Sequence, residues 1–154
     1  MSAVELARES LKIHEGFSET VYKCPSGYNT IGYGRNLDQK GITVEEADYL
    51  LDNDIGECLV DLSRFLKCWD RLNETQQAAL IDFRYNLGAW GFRQFKKCIA
   101  ALEAGDYEEA AKQILDSRYA KQVGRRSLNI ANGIRDNYVQ PKNTDPVAAW
   151  WPFK

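Results

Sequence analysis

With 154 residues, 44% of them hydrophobic and 27% charged, the chain can form one substantial domain, or two small lobes that share a core. Its composition is that of an ordinary soluble globular protein. It has no run of about 18 apolar residues, which argues against a transmembrane helix and stable membrane association, and its start, Met1-Ser2-Ala3-Val4-Glu5, lacks the basic and apolar regions of a signal peptide. The net charge of −2 hides an asymmetry: 7 Lys+Arg stand against 13 Asp+Glu in residues 1–70, and 13 against 9 in residues 71–154. That is too weak and too mixed in sign for a nucleic-acid partner, though the C-terminal half could attract an anionic polymer.

The first element is a short helix ending at His14-Glu15-Gly16, where Gly16 can supply the C-cap. The thirteen residues from Tyr22 to Gly34 then read as a tight hairpin. Tyr22, Tyr28, Ile31 and Tyr33 favour strand, and Pro25-Ser26-Gly27 is turn chemistry. A helix end carrying an acid, followed by a Gly-rich hairpin carrying Thr30, is one way to place a carboxyl at the lip of a groove.

Thr43-Val44-Glu45-Glu46 is a capping box. Apolar residues then recur from Val44 through Leu50, Ile55, Cys58 and Leu62 to Leu66, with gaps that make one stripe on a helix of roughly 22 residues, about 33 Å long. Asn73 caps a helix from Glu74 to about Asn86 that stops at Leu87-Gly88. A further helix is expected from about Phe92 to Leu102, stopping at Ala104-Gly105. Asp106-Tyr107-Glu108-Glu109 reads as a second capping box opening a helix to about Leu115, and Gly124 precedes a last helix, Arg125 to Ile134. These elements describe an α+β protein. Residues 1–154 form a single domain, with a small N-terminal lobe carrying the β-hairpin and a long helix bridging to an all-helical C-terminal lobe. The lobes span about 12–60 and 61–154, with the N-terminal helix added. A groove between lobes is a natural place for a ligand. The apolar tail Val147-Ala148-Ala149-Trp150-Trp151-Pro152-Phe153 either covers a core or offers a surface for glycan or membrane.

Cys24, Cys58, Cys68 and Cys98 form no Cys-x-x-Cys pair, and the single histidine, His14, has no ligand partner nearby. No metal or other cofactor is expected, and the cysteines are read as reduced thiols, with Cys58 and Cys98 as small core residues.

The order and spacing of Glu15-Gly16, Tyr22, position 24 and Gly27-Tyr28-Asn29-Thr30-Ile31-Gly32-Tyr33-Gly34 resemble the phage lysozymes, the muramidase family of the T-even phage endolysins. The likeness extends over about residues 10–135. Gly41-Ile42-Thr43-Val44-Glu45-Glu46-Ala47 through Asp54 is similar to the start of the family's bridging helix. Phe83-Arg84-Tyr85-Asn86-Leu87-Gly88 resembles its groove segment, and Ser117-Arg118-Tyr119 with Val123-Gly124-Arg125-Arg126 resembles the segment that carries a groove-facing Arg. The resemblance implies a lysozyme-like fold with Glu15 as general acid and Thr30 as the catalytic Thr. Cys24 stands where the family usually has Asp. It further implies substrate contacts from Asn29, Gly34, Tyr85, Asn86 and Arg126, with Arg126 near Glu15, and an ion pair between Arg35 and Asp54. The stretch from Arg35 to Thr43 is short, so a trimmed N-terminal lobe is expected, and residues 143–154 have no counterpart.

Cleaving a glycosidic bond needs a proton on the leaving oxygen and a nucleophile at the anomeric carbon. Glu15 must hold its proton near neutral pH, which calls for partial burial beside apolar groups. Thr30 can hold a water. A thiol of ordinary pKa is only about 3% ionised at pH 7, so Cys24 needs a lowered pKa to act as base or nucleophile. Three readings follow: Cys24 replaces the Asp functionally, Glu15 and Thr30 act alone, or hydrolysis is lost and glycan binding remains. The resemblance favours an endolysin that hydrolyses the bond between N-acetylmuramic acid and N-acetylglucosamine in peptidoglycan and so causes host lysis. Its partner would be the peptidoglycan glycan strand. It would be a monomer made in the host cytoplasm that reaches the wall after a holin-type membrane lesion. The alternatives are a lytic transglycosylase using Glu15 as its single acid, and a catalytically inactive peptidoglycan-binding module.

Overall fold

The computed structural model describes residues 1–136, so the aromatic tail at 147–153 lies outside the described residues. The chain divides into two units, Met1–Leu50 and a second that begins at Leu51.

The N-terminal unit opens with α1, Ala3–Glu15. Ser2 and Glu5 cap it reciprocally, and Gly16 ends it at φ 68°, its N–H donating to the Lys12 carbonyl. The expected hairpin follows as β1, Ser18–Lys23, and β2, Asn29–Gly32. A third short strand, β3 (Arg35–Asn36), extends it to an antiparallel sheet in the order β1-β2-β3. The sequence reading stopped at a hairpin because two residues carry no periodicity. The register pairs Tyr22 with Thr30 and Lys23 with Asn29 on one side of β2, and Thr30 with Asn36 on the other. Thr30 therefore sits on the central strand, and it is the one fully buried residue among those described in this unit.

The long helix α2, Val44–Phe65, has the length its apolar stripe predicts and starts at the Thr43–Glu46 capping box: Thr43 N–H donates to Glu46 Oε2 at 2.8 Å, and Glu46 N–H to Thr43 Oγ1 at 3.2 Å. The second unit continues with a single 3-10 turn, Trp69–Arg71, then α3 (Glu74–Arg93), α4 (Lys96–Glu103), α5 (Tyr107–Leu115), α6 (Arg118–Val123) and α7 (Arg125–Ile134). The break expected at Gly88 is present: its φ of 73° and ψ of 167° lie outside helical space. Helical geometry then resumes to Arg93, and the helix expected from Phe92 starts only at Lys96. Packing explains the difference. Phe92 and Phe95 both turn onto Phe83, with ring centroids 5.9 Å and 4.9 Å away, and the chain bends between them. At Asp106 half of the expected box forms. The Asp106 carboxylate accepts the Glu109 N–H, while the Glu109 side chain accepts from Gln113 instead. The six-residue α6, capped by Ser117, is too short for periodicity to reveal.

The core lies in the second unit. Phe83, Phe92, Leu62, Leu66, Leu80, Leu102, Ile114, Ile130 and Ile134 are fully buried, where α3 packs on α7 and α5 packs on α4 and α7. Each such side chain contributes about 1.5–3 kcal/mol by leaving water. Cys58, Cys68 and Cys98 are buried as well, so the reading of Cys58 and Cys98 as small core residues holds.

Candidate active site

In the N-terminal unit, Glu15 is the last residue of α1 and is exposed. α1 buries no residue, so the apolar cover expected around the acid is not supplied by its own helix. Its carboxylate lies instead against Gly34: a Cβ at that position would come within 2.8 Å of Oε2 and 3.1 Å of Cδ. Gly34 also has φ 79°, so two independent constraints select glycine there. Glu15 and Gly34, nineteen residues apart, are thus brought together.

Cys24 follows β1 at the head of the Pro25-Ser26-Gly27 turn and is partly exposed. Its N–H donates to the Tyr28 carbonyl at 3.0 Å, and the Thr30 hydroxyl donates to that same carbonyl at 3.0 Å. Backbone hydrogen bonding from Tyr28 is the main influence that holds the Cys24 thiol below the ordinary thiol range. Partial burial opposes it, and the Ser26 and Gly27 backbone and the Thr30 hydroxyl add to it. The turn brings Cys24 and Thr30 together at one acceptor, the Tyr28 carbonyl. Thr30 is buried, and its hydroxyl is committed to the Tyr28 carbonyl.

Asn29 is fixed by a residue the sequence reading did not single out. Its N–H donates to Asp38 Oδ2 at 2.7 Å and its side-chain Nδ2 to Oδ1 at 3.0 Å. Both bonds hold the Asp38 carboxyl below its ordinary pKa, the backbone one most. Arg35 corrects an expectation. Its carboxylate partner is Glu46, in place of Asp54: Nη1 and Nη2 engage the two Glu46 oxygens, and Nη1 also donates to the Gly41 carbonyl at 3.0 Å. The reason is local. The chain returns from β3 to the start of α2 within ten residues, and the capping box already holds Glu46 there. Glu46 is held down to about 2, chiefly by the Arg35 guanidinium and next by the Thr43 N–H.

In the second unit, Tyr85 and Asn86 lie on α3 just before the Gly88 break. Tyr85 is exposed, and Asn86 Oδ1 is buried without a hydrogen-bond partner among the described residues. Arg126, in the first turn of α7, donates from Nε at 2.9 Å and from Nη2 to Asp82 Oδ1. Asp82 went unremarked in the sequence, although its spacing of three and four residues from Tyr85 and Asn86 puts all three on one face of α3. The Tyr119 hydroxyl, buried and likewise without a hydrogen-bond partner among the described residues, is pushed well above the ordinary phenol range by burial, with Arg126 and Asp82 acting on it in opposite directions.

An acid at a helix end, a small Gly-rich sheet that holds a thiol beside a threonine, and a helical unit around one apolar core together define a lysozyme-like α+β fold. The phage lysozyme family model matches residues 12–135, and the chain belongs to the phage lysozyme family. It is 27% identical over 150 residues to the pre-baseplate central spike protein Gp5 of Enterobacteria phage T4, a match covering 79% of this chain and 26% of that protein. It is 29% identical over 108 residues to the peptidoglycan hydrolase gp36 of Enterobacteria phage SP6, covering 68% of this chain and 11% of that one. The chain thus spans about a quarter and about a tenth of the length of these curated relatives.

Proposed function

We propose that this protein is a glycoside hydrolase of bacterial peptidoglycan that cuts between N-acetylmuramic acid and N-acetylglucosamine, with Glu15 as general acid and Cys24 and Thr30 in place of an Asp–Thr pair. The observation that carries the reading is the turn that sets Cys24 beside Thr30, with the Cys24 N–H and the Thr30 hydroxyl both on the Tyr28 carbonyl. Position 24 lacks a carboxylate, yet the Tyr28, Ser26 and Gly27 backbone and the Thr30 hydroxyl favour an anion there. Family membership and the name of the SP6 relative support the substrate class.

The Glu15 proton passes to the glycosidic oxygen as the bond to the anomeric carbon breaks. A water attacks that carbon and yields its proton to the Cys24 thiolate, while the Thr30 hydroxyl turns from the Tyr28 carbonyl towards the sulfur. Return of the thiol proton, through solvent, to Glu15 resets the site. Asn29, Gly34, Tyr85, Asn86 and Arg126 belong to the same proposal as sugar-contacting groups, and arrival at the wall through a holin-type lesion belongs to it as well. The test is mass spectrometry of products released from purified Gram-negative sacculi. Reducing N-acetylmuramic acid ends support the hydrolase. Anhydro-muramyl ends would replace it with a transglycosylase that uses Glu15 alone, and binding without release would leave a glycan-binding module.

A further inference from the structure

We propose that Arg35 and Glu46 are positioning residues for the Glu15 carboxyl, acting through Gly34. The inference rests on the reading of Glu15 as the acid. The Glu15 carboxylate lies against the Gly34 backbone closely enough that one added carbon would collide with it. Gly34 sits in the connection between β2 and β3, and β3 is only two residues long. Two residues of ladder do not fix such a turn, so something downstream must.

The residue after Gly34 supplies it. The Arg35 guanidinium forks onto both oxygens of Glu46 and reaches the Gly41 carbonyl, closing the loop from 35 to 46. Glu46 is itself fixed, because Oε2 also accepts the Thr43 N–H at the start of α2. A lone exposed ion pair adds little to stability. This one is two-pronged, with side chains only 29% and 39% exposed, and it joins a helix start to the backbone under the acid. The α2 N-terminus is thereby connected, through one guanidinium, to the floor on which the proton donor rests. Catalytic groups must be held within about half an ångström, so a loosened floor acts on the chemical step rather than on substrate capture.

Arg35→Ala, Arg35→Lys and Glu46→Gln in the full chain test this, with steady-state release of reducing ends from purified Gram-negative sacculi. Arg35→Ala is expected to lose about a hundredfold in kcat with KM little changed. Arg35→Lys should recover part of that loss. Glu46→Gln, which retains an oxygen for the Thr43 N–H and so the helix cap, should fall with Arg35→Ala, and it serves should that variant not fold. A second measurement is independent of turnover. In 1H–15N spectra the Gly34 amide should shift on Glu15→Gln in the wild-type background and lose that response in the Arg35→Ala and Glu46→Gln backgrounds. A natively folded variant with wild-type kcat, or one that keeps the full Gly34 response, overturns the proposal. If the wild type releases no sugar, the hydrolase reading fails and the Gly34 response alone decides the positioning role.

Discussion

Glu15 is exposed at the end of α1 with its carboxylate against Gly34, so its substitutions separate chemistry from folding. Glu15→Gln should lower release of reducing ends by about 10²–10⁴-fold while the melting temperature stays close to wild type, since α1 buries nothing there. A variant that still hydrolyses sacculi at the wild-type rate would remove Glu15 as the acid. Cys24 calls for a series. Cys24→Asp should keep or raise activity, because it restores the carboxylate that the phage lysozymes usually carry at this position. Cys24→Ser should lose most of it, and Cys24→Ala should fall as far if the sulfur takes the proton. Wild-type lysis by Cys24→Ala would leave the mechanism to Glu15 and Thr30. Iodoacetamide should inactivate the wild type, with protection by sacculus fragments. These roles were legible because helix end, turn and strand lie within twenty residues, and their spacing survives as a linear pattern. Glu46, Asp38 and Asp82 were not read as partners, since partner choice depends on loop closure and helix rotation, which sequence order does not carry. Arg35 shows it best: an acid on α2 was anticipated, but Glu46 in the first turn lies nearer along the chain than Asp54, two turns on.

Helices were legible wherever an apolar stripe ran three turns or more, as in α2 and α7, and hidden where tertiary packing set the bounds, as between Phe92 and Lys96. Gly88 was read correctly as a stop because its conformation suits no other residue. Nothing lies within 4 Å of a Cβ placed there, so Gly88→Ala should destabilise through backbone strain alone, by about 1–3 kcal/mol in a denaturant melt. The start of α2 has a pH signature. Glu46 is near 2 when folded and 4.5 when free. A carboxyl depressed by folding contributes stability that is full above its free value, fades below it, and is gone once pH has fallen through the folded value. The difference in melting temperature between wild type and Glu46→Gln should therefore be constant above about pH 5 and shrink towards pH 2. A difference that does not change with pH would mean that Arg35 does not hold the carboxylate.

Across the whole molecule, apolar burial is distributed unevenly. The second unit holds the aromatic cluster of Phe83, Phe92, Phe95 and Tyr119, while the described residues of the first bury only Thr30. Phe83→Ala should cost about 3–5 kcal/mol, the range for truncating a fully buried aromatic, read from the denaturant midpoint. Amide exchange should be slowest in α3, α5 and α7 and faster in the β1–β2 hairpin. Uniform protection along the chain would contradict that ranking.

The four sulfurs are sorted by these same surroundings. Cys24 is partly exposed and held towards its reactive form, whereas Cys58, Cys68 and Cys98 are buried and pushed up by desolvation, Cys98 to about 12. A brief pulse of an alkylating reagent on the native protein should therefore add one tag, and on the denatured chain four. Between those limits, the tag count works as a clock that nature has already wound. The second, third and fourth tags appear only as fast as the helical unit opens, so one mass spectrum per time point follows its breathing with no probe added to the chain.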